Sequence, residues 1–278
     1  MPPTGINYSS ENGKTPSVLK HKKTQPKAVI AFIHGFGEHS GRYNHVADFF
    51  NQNQYAVIAF DIRGHGKSDG KRGHVTDFDT YLNDIQLFIE HIKTNYKNTP
   101  LLLWGHSMGG NLVLNYILRR KPTIKGAVVT GPWIQLAFEP KPILVTLGKL
   151  MRRIYPTFTQ ASNLTVQHIS TDPAVVKAYQ EDPLVHTQIS ASAGMGLQEA
   201  AAWLHQFSGE MPTPLLIMHG ADDKITAQPA SEAFSKRVKG DVTYKKWADM
   251  YHEIHNEPDK EQVLEYALGW LDAQLNDQ

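Results

Sequence analysis

The chain contains no cysteine, which excludes disulfides, a cysteine nucleophile and thiolate metal sites without by itself fixing a redox compartment. Net charge is also nearly absent. Lys and Arg number 28 against 27 Asp and Glu, a balance of +1 that argues against a nucleic-acid partner. No apolar run approaches the ~18 residues of a membrane span. The stretch Met1 to Gln25 is polar, holds Pro2, Pro3, Pro16 and several lysines, and lacks the apolar core of a secretory signal, so cytoplasmic residence is expected. No internal repeat or long disordered linker is apparent. What is present is ordinary for a folded protein. Hydrophobic residues make up 41% and charged residues 20% of 278 positions, which suits one large α/β domain carrying an insertion.

After a polar start with one or two edge strands, Ala28 to Ile33 reads as a strand buried on both faces. A glycine-rich loop, His34 to Gly41, and a helix around Tyr43 to Asn53 follow. Tyr55 to Phe60 is a second buried strand, and Leu82, Ile85, Ile89 and Ile92 give an amphipathic helix from about Tyr81 to Tyr96. Further strands are predicted at Leu101 to Trp104 and Gly126 to Thr130, with a helix between them running towards Arg120. Strands alternating with helices imply a parallel sheet. The alternation stops from about Trp133 to Gly209, where helical stretches are interrupted by Pro140, Pro142, Pro156, Pro173 and Pro183. It resumes with a strand at Leu215 to Met218, a helix near Ala230 to Val238, a strand around Val242 to Trp247 and a helix from Pro258 to Leu275. The expected division is a core of 1–132 and 210–278 and a mainly helical cap of 133–209.

Leu101-Leu102-Leu103-Trp104-Gly105-His106-Ser107-Met108-Gly109-Gly110 ends an apolar strand in Gly-x-Ser-x-Gly before a helix. Such a turn raises a serine Oγ above the sheet edge, and its glycines permit close packing. A serine hydroxyl needs a base, and a neutral imidazole needs an acid to hold its tautomer. His219-Gly220-Ala221-Asp222-Asp223 follows one strand and Tyr251-His252-Glu253-Ile254-His255 follows the last, giving the chain order Ser, Asp, His. Asp222 and Asp223 compete for the acid. His252 and His255 compete for the base, with His252 nearer the strand end. The backbone amides of Met108 and of Phe36, in His34-Gly35-Phe36-Gly37, suit an oxyanion hole, their side chains being incidental.

Together with Glu38-His39-Ser40-Gly41-Arg42-Tyr43, Asp61-Ile62-Arg63-Gly64-His65-Gly66-Lys67-Ser68 and Asp182-Pro183-Leu184, these strings resemble the monoacylglycerol lipase family of α/β-hydrolases over nearly the whole chain. The resemblance implies an α/β-hydrolase fold: a mostly parallel central sheet flanked by helices, with an inserted, mainly helical cap. It implies cofactor-free hydrolysis of monoglycerides to fatty acid and glycerol, with Ser107, Asp223 and His252 as the triad and Phe36 and Met108 at the oxyanion positions. Glu38, Arg42 and His255 are implied to line the pocket for the glycerol head. A carboxylate, a guanidinium and an imidazole suit a polyol, although Glu38 and Arg42, four residues apart, also suit a mutual ion pair.

In the cap, Ile143, Leu144, Leu147, Leu150, Met151 and Ile154 recur at helical spacing beside Lys149, Arg152 and Arg153. This pattern fits both an interfacial membrane helix and a cap helix packed over the core. A lipid ester and peripheral membrane contact are the expected partners; no protein partner is predicted. Within the serine hydrolases the alternatives are a lysophospholipase or general carboxylesterase, with an aminopeptidase or thioesterase further behind. Outside them, Gly35-x-Gly37-x-x-x-Gly41 with Asp61 imitates a dinucleotide-binding unit, and a non-catalytic ligand-binding protein on the same fold is the other class. Gly66-Lys67-Ser68 lacks the leading glycine of a phosphate loop. The histidines of His252-Glu253-Ile254-His255 are three apart rather than four, so no metal site is predicted.

Overall fold

Alternation along the first long strand sets the architecture. In β2 (Ala28–Ile33), Val29, Ala31 and Ile33 enter one apolar cluster while Ala28, Ile30 and Phe32 enter another, so both faces are covered. The computed structural model describes residues 18–21 and 25–276 except Lys141 and Asn163. Apart from β1 (Val18–His21), the polar N-terminal stretch, with its expected edge strand and absent signal, lies outside the described residues.

The remaining main-sheet strands are β3 (Tyr55–Phe60), β4 (Leu101–His106), β5 (Gly126–Thr130), β8 (Leu215–Gly220) and β9 (Val242–Trp247). Their order is β1-β3-β2-β4-β5-β8-β9. Every pairing is parallel except that of β1 with β3. Helices α1 (Asn44–Gln52) and α8 (Lys260–Asn276) cover one face through Phe50, Val263 and Leu271. Helices α2 (Phe78–Asn95), α3 (Met108–Arg120) and α7 (Gln228–Arg237) cover the other through Phe88, Val113 and Phe234. This is the mostly parallel, helix-flanked sheet anticipated from the alternation.

Several boundaries shift from expectation, two of them for clear local reasons. Helix α2 starts at Phe78 because the Asp77 carboxylate accepts the Thr80 N–H at 2.8 Å, an N-cap that the apolar periodicity does not reveal. Strand β4 runs on to His106, its last residues pairing with β5. Between β5 and β8 the chain makes α4 (Pro142–Ile154), α5 (Pro173–Glu181) and α6 (Ala191–Gln206), none of which interrupts the main sheet. The same segment holds a short antiparallel ribbon of β6 (Thr159–Ala161) and β7 (Gln188–Ser190), too brief for periodicity to reveal.

The chain goes from β2 to β3 on one side and reaches β4 on the other. The loops leaving β2 and β4 therefore diverge at a topological switch point, where open parallel sheets form crevices at their C-terminal edge.

Candidate active site

Ser107 lies immediately beyond β4 with φ 54° and ψ −114°, a conformation that costs a non-glycine residue on the order of 1–3 kcal/mol. Surrounding bonds hold it there. Its N–H donates to Thr130 O at 2.9 Å, and its carbonyl accepts from Asn111 and Trp133 N–H, each at 3.0 Å. The flanking glycines are required by contact: a Cβ on Gly109 would stand 2.1 Å from Ile33 O, and one on Gly105 2.4 Å from Gly109 O. Ser107 is only 9% exposed. Among the described residues its hydroxyl has no hydrogen-bond partner, as is common before substrate tightens a catalytic site.

The acid and base meet directly. Asp223 Oδ2 lies 2.7 Å from His252 Nδ1, whereas Asp222 is exposed on the same loop. His252 in turn packs its ring 4.7 Å from that of His106, the residue before Ser107. Burial alone would raise the Asp223 pKa, but His252 and His219 outweigh it and hold the carboxyl well below its usual range. For His252, burial lowers the pKa, yet Asp223, with Glu253 and Glu38 beyond it, leaves it raised above the ordinary imidazole value.

The loop after β2 supplies the other side of the site. A Cβ on Gly35 would lie 3.4 Å from Ser107 Cβ, which shows how closely that loop approaches the serine. The Phe36 and Met108 N–H groups are engaged by no other group among the described residues, and Met108 opens α3, where first-turn amides lack intrahelical partners. The Met108 side chain is in the core rather than a pocket wall. Phe36 sets its ring edgewise to His65 and His186, with centroids 5.6 and 5.8 Å away.

Glu38 and Arg42 pair with each other at 2.5 Å, and the guanidinium also holds both carboxylate oxygens of Glu253 at 2.7 Å. Glu38 further accepts the Gly35 N–H at 2.6 Å and the Tyr43 hydroxyl at 2.5 Å. One guanidinium thus joins the loop carrying Phe36 to the loop carrying His252. Burial opposes ionisation of Glu253, but Arg42 prevails and brings its pKa down to about 2. His255 stacks on Tyr43 with centroids 4.9 Å apart, and burial pulls its pKa down to about 3. Neither of its ring nitrogens has a partner among the described residues. Asp61, the residue that imitated a ribose-binding acid, is spent internally: it accepts Ser40 N–H and Lys67 N–H, each at 2.8 Å.

A cavity of about 280 Å³ is lined by Trp133, Leu136, Leu144, Met151, Ile189 and Met195 among others. Trp133 is bonded to Ser107 O, and Leu136 forms a β-bridge with Thr226 beside Asp223. Helix α4 roofs it. Leu144 and Met151 face the cavity, while Ile143, Leu150 and Ile154 are 74%, 54% and 64% exposed. The apolar stripe therefore divides, one edge inward and one outward, with Leu147 on both.

Sequence reasoning did not find His219, Thr226 or Glu253. Thr226 Oγ1 stands 2.8 Å from Asp223 Oδ2, and His219 Nε2 stands 2.9 Å from it. A signal for His219 was available, since it begins the same string as Asp223. No sequence spacing links Arg42 to Glu253.

A family model described as serine aminopeptidase, S33, matches residues 24–259. The chain belongs to this family and is a serine ester hydrolase with the α/β-hydrolase fold. A monoacylglycerol lipase of Mycolicibacterium smegmatis is 33% identical over 254 residues, covering 91% of this chain and 90% of the relative. An uncharacterised abhydrolase domain-containing protein of Dictyostelium discoideum is 39% identical over 91% of this chain, which spans only 27% of that relative's length. The crystal structure of a monoacylglycerol lipase from Paleococcus ferrophilus superposes with a TM-score of 0.86 at 31% identity, covering 93% of this chain and 99% of that one.

Proposed function

We propose that this enzyme cleaves monoacylglycerols into fatty acid and glycerol through an acyl-enzyme formed on Ser107. The observation that carries this reading is the mostly apolar cavity lined by Leu144 and Met151 of α4 and by Trp133, whose backbone N–H donates to Ser107 O. Its volume of about 280 Å³ lies just below the ~300–1,000 Å³ typical of small-molecule sites, and its mostly apolar lining suits an acyl chain.

In the proposed mechanism His252 Nε2 takes the Ser107 proton as Oγ attacks the ester carbonyl, and Asp223 steadies the imidazolium. The Phe36 and Met108 amides receive the developing oxyanion. His252 then gives the proton to the departing glycerol oxygen, and water, activated by the same imidazole, releases the fatty acid. The polar end of the substrate lies against Glu38, Arg42 and His255. The two unpartnered nitrogens of buried His255 support this placement, because such groups in folded proteins nearly always have partners. The segment 133–209 serves as the cap over core residues 1–132 and 210–278.

The outward edge of α4 adds a peripheral membrane role. Exposed Ile143, Leu150 and Ile154, with Lys149 and Arg153 near them, suit insertion of an apolar edge at an anionic surface. No helix among the described residues is long and apolar enough to cross a membrane. A soluble, cytoplasmic enzyme that visits membranes is the corresponding localisation.

The test is initial rates on monoacyl-, diacyl- and triacylglycerol, lysophospholipid and a short p-nitrophenyl ester, with Ser107→Ala as control. Monoacylglycerol is expected to be the best lipid, and Ser107→Ala inactive on all. Undiminished turnover by Ser107→Ala overturns the mechanism; preference for lysophospholipid overturns the substrate alone.

A further inference from the structure

Asp223 serves two histidines, of which the triad accounts for one. His252 Nδ1 and His219 Nε2 lie 2.7 and 2.9 Å from the same oxygen, Oδ2. His219 is completely buried near the end of β8, and its Nδ1 lies 2.9 Å from Ser231 Oγ on α7. An ionised carboxylate only accepts hydrogen bonds. Nε2 of His219 therefore carries the hydrogen, and Nδ1 accepts from the Ser231 hydroxyl. The Asp223 carboxylate thus sets the tautomer, while Ser231 anchors the far side of the ring and keeps its donor aimed at Oδ2.

We infer that His219 is a positioning residue for the reaction, fixing the Asp223 carboxylate for His252 and limiting how strongly it holds the imidazolium. The inference rests on the reading of Asp223 as the triad acid. Orientation follows from the full set of donors. Oδ1 accepts from Ile225 N–H at 2.7 Å and Thr226 N–H at 3.0 Å, leaving Oδ2 to His252, His219 and Thr226. The Thr226 hydroxyl has one proton and also lies 3.0 Å from Gly131 O, so it is a divided donor. Without His219, Oδ2 keeps only His252 and that shared hydroxyl, and the carboxylate gains freedom to rotate.

The second effect is electronic. Each donor on Oδ2 withdraws charge from the oxygen that stabilises protonated His252. Deleting the His219 N–H leaves Asp223 a stronger partner for the imidazolium and raises the pH at which His252 loses its proton. The other groups facing His252 are the Glu253 and Glu38 carboxylates and the His106 and His255 imidazoles, with the Arg42 guanidinium paired to Glu253. Substitution at position 219 changes none of them.

The experiment compares the full chain with His219→Leu, His219→Gln and Asp223→Asn on a short p-nitrophenyl ester, measuring kcat, KM and the pH dependence of kcat/KM. His219→Leu is expected to lower kcat about tenfold with KM within about twofold, and to move the acidic limb of kcat/KM upward. His219→Gln, which retains an N–H donor, restores most of both. A His219→Leu enzyme with the parent kcat and limb overturns the inference, as does a loss that Gln leaves uncorrected. Should His219→Leu fail to fold, Ser231→Ala, which removes the hydrogen bond anchoring the His219 ring, is expected to move the limb the same way by less; an unmoved limb overturns the inference. Parent activity in Asp223→Asn instead overturns the assignment of the acid itself.

Discussion

Arg42 grips Glu253, the residue immediately after His252, through two hydrogen bonds of 2.7 Å, and reaches the Phe36 loop through Glu38. Glu253→Gln removes a buried charge from this bridge. Breaking such a pair costs about 3 kcal/mol, which urea unfolding at neutral pH will register. Because the pKa of Glu253 is depressed, its stabilisation is complete above its unfolded value of about 4.3. It is lost as pH falls through about 2; the Gln variant should lack that acid-induced loss.

The two adjacent aspartates are expected to behave oppositely. Asp223 touches His252 while Asp222 faces solvent. Asp223→Asn should reduce kcat by about 10⁴, the cost of presenting the wrong tautomer. Asp222→Asn should stay within about twofold of the parent enzyme. Stopped and steady-state assays on one soluble ester decide this, and comparable losses at both positions would contradict the assignment.

Acid should silence the enzyme early. Burial lowers the pKa of His252, but Asp223, Glu253 and Glu38 together raise it above the ordinary imidazole value of about 6.5. Protonated His252 cannot accept the serine proton, so kcat/KM should fall as pH drops through a value above 6.5 rather than below it. The corresponding limb in Glu253→Gln should move down, since one of the raising charges is gone. A limb well under 6.5 in the parent enzyme contradicts this electrostatic account.

The two edges of α4 should separate binding from fit. Ile143→Asp or Leu150→Asp, at positions 74% and 54% exposed, should weaken anionic vesicle binding and long-chain turnover while leaving a short ester untouched. Leu144→Trp, inside the cavity, should lower long-chain kcat/KM at least tenfold, corresponding to about 1.4 kcal/mol, with vesicle binding unchanged. Equal losses on short and long esters would indicate a misfolded cap instead. Leu147 shares both edges and cannot discriminate.

The legible parts of this chain were those governed by local rules. Strands β2, β3 and β5 appear at their expected limits because burial on both faces marks them as bounded apolar runs. Ser107 and its glycines were legible because the turn demands those residue types at those spacings. Glu38 and Arg42 were legible as neighbours, but their third partner was not, since Glu253 is brought to them only by the assembled fold. Thr226 and Ser231 escaped notice because a lone hydroxyl has no periodicity. The ribbon of β6 and β7 escaped because three residues show no pattern.

The Arg42 to Glu253 contact also bears on how the protein folds. Its partners are 211 residues apart in the chain, and β5 and β8 become neighbours only across the intervening helices. Closing such long loops costs entropy before any contact compensates for it, which slows folding. Strands β2 to β5 can assemble from nearby segments while the histidine loop is still unanchored. Recovery of esterase activity after dilution from denaturant should therefore lag behind recovery of secondary structure, making the active site a late reporter of folding.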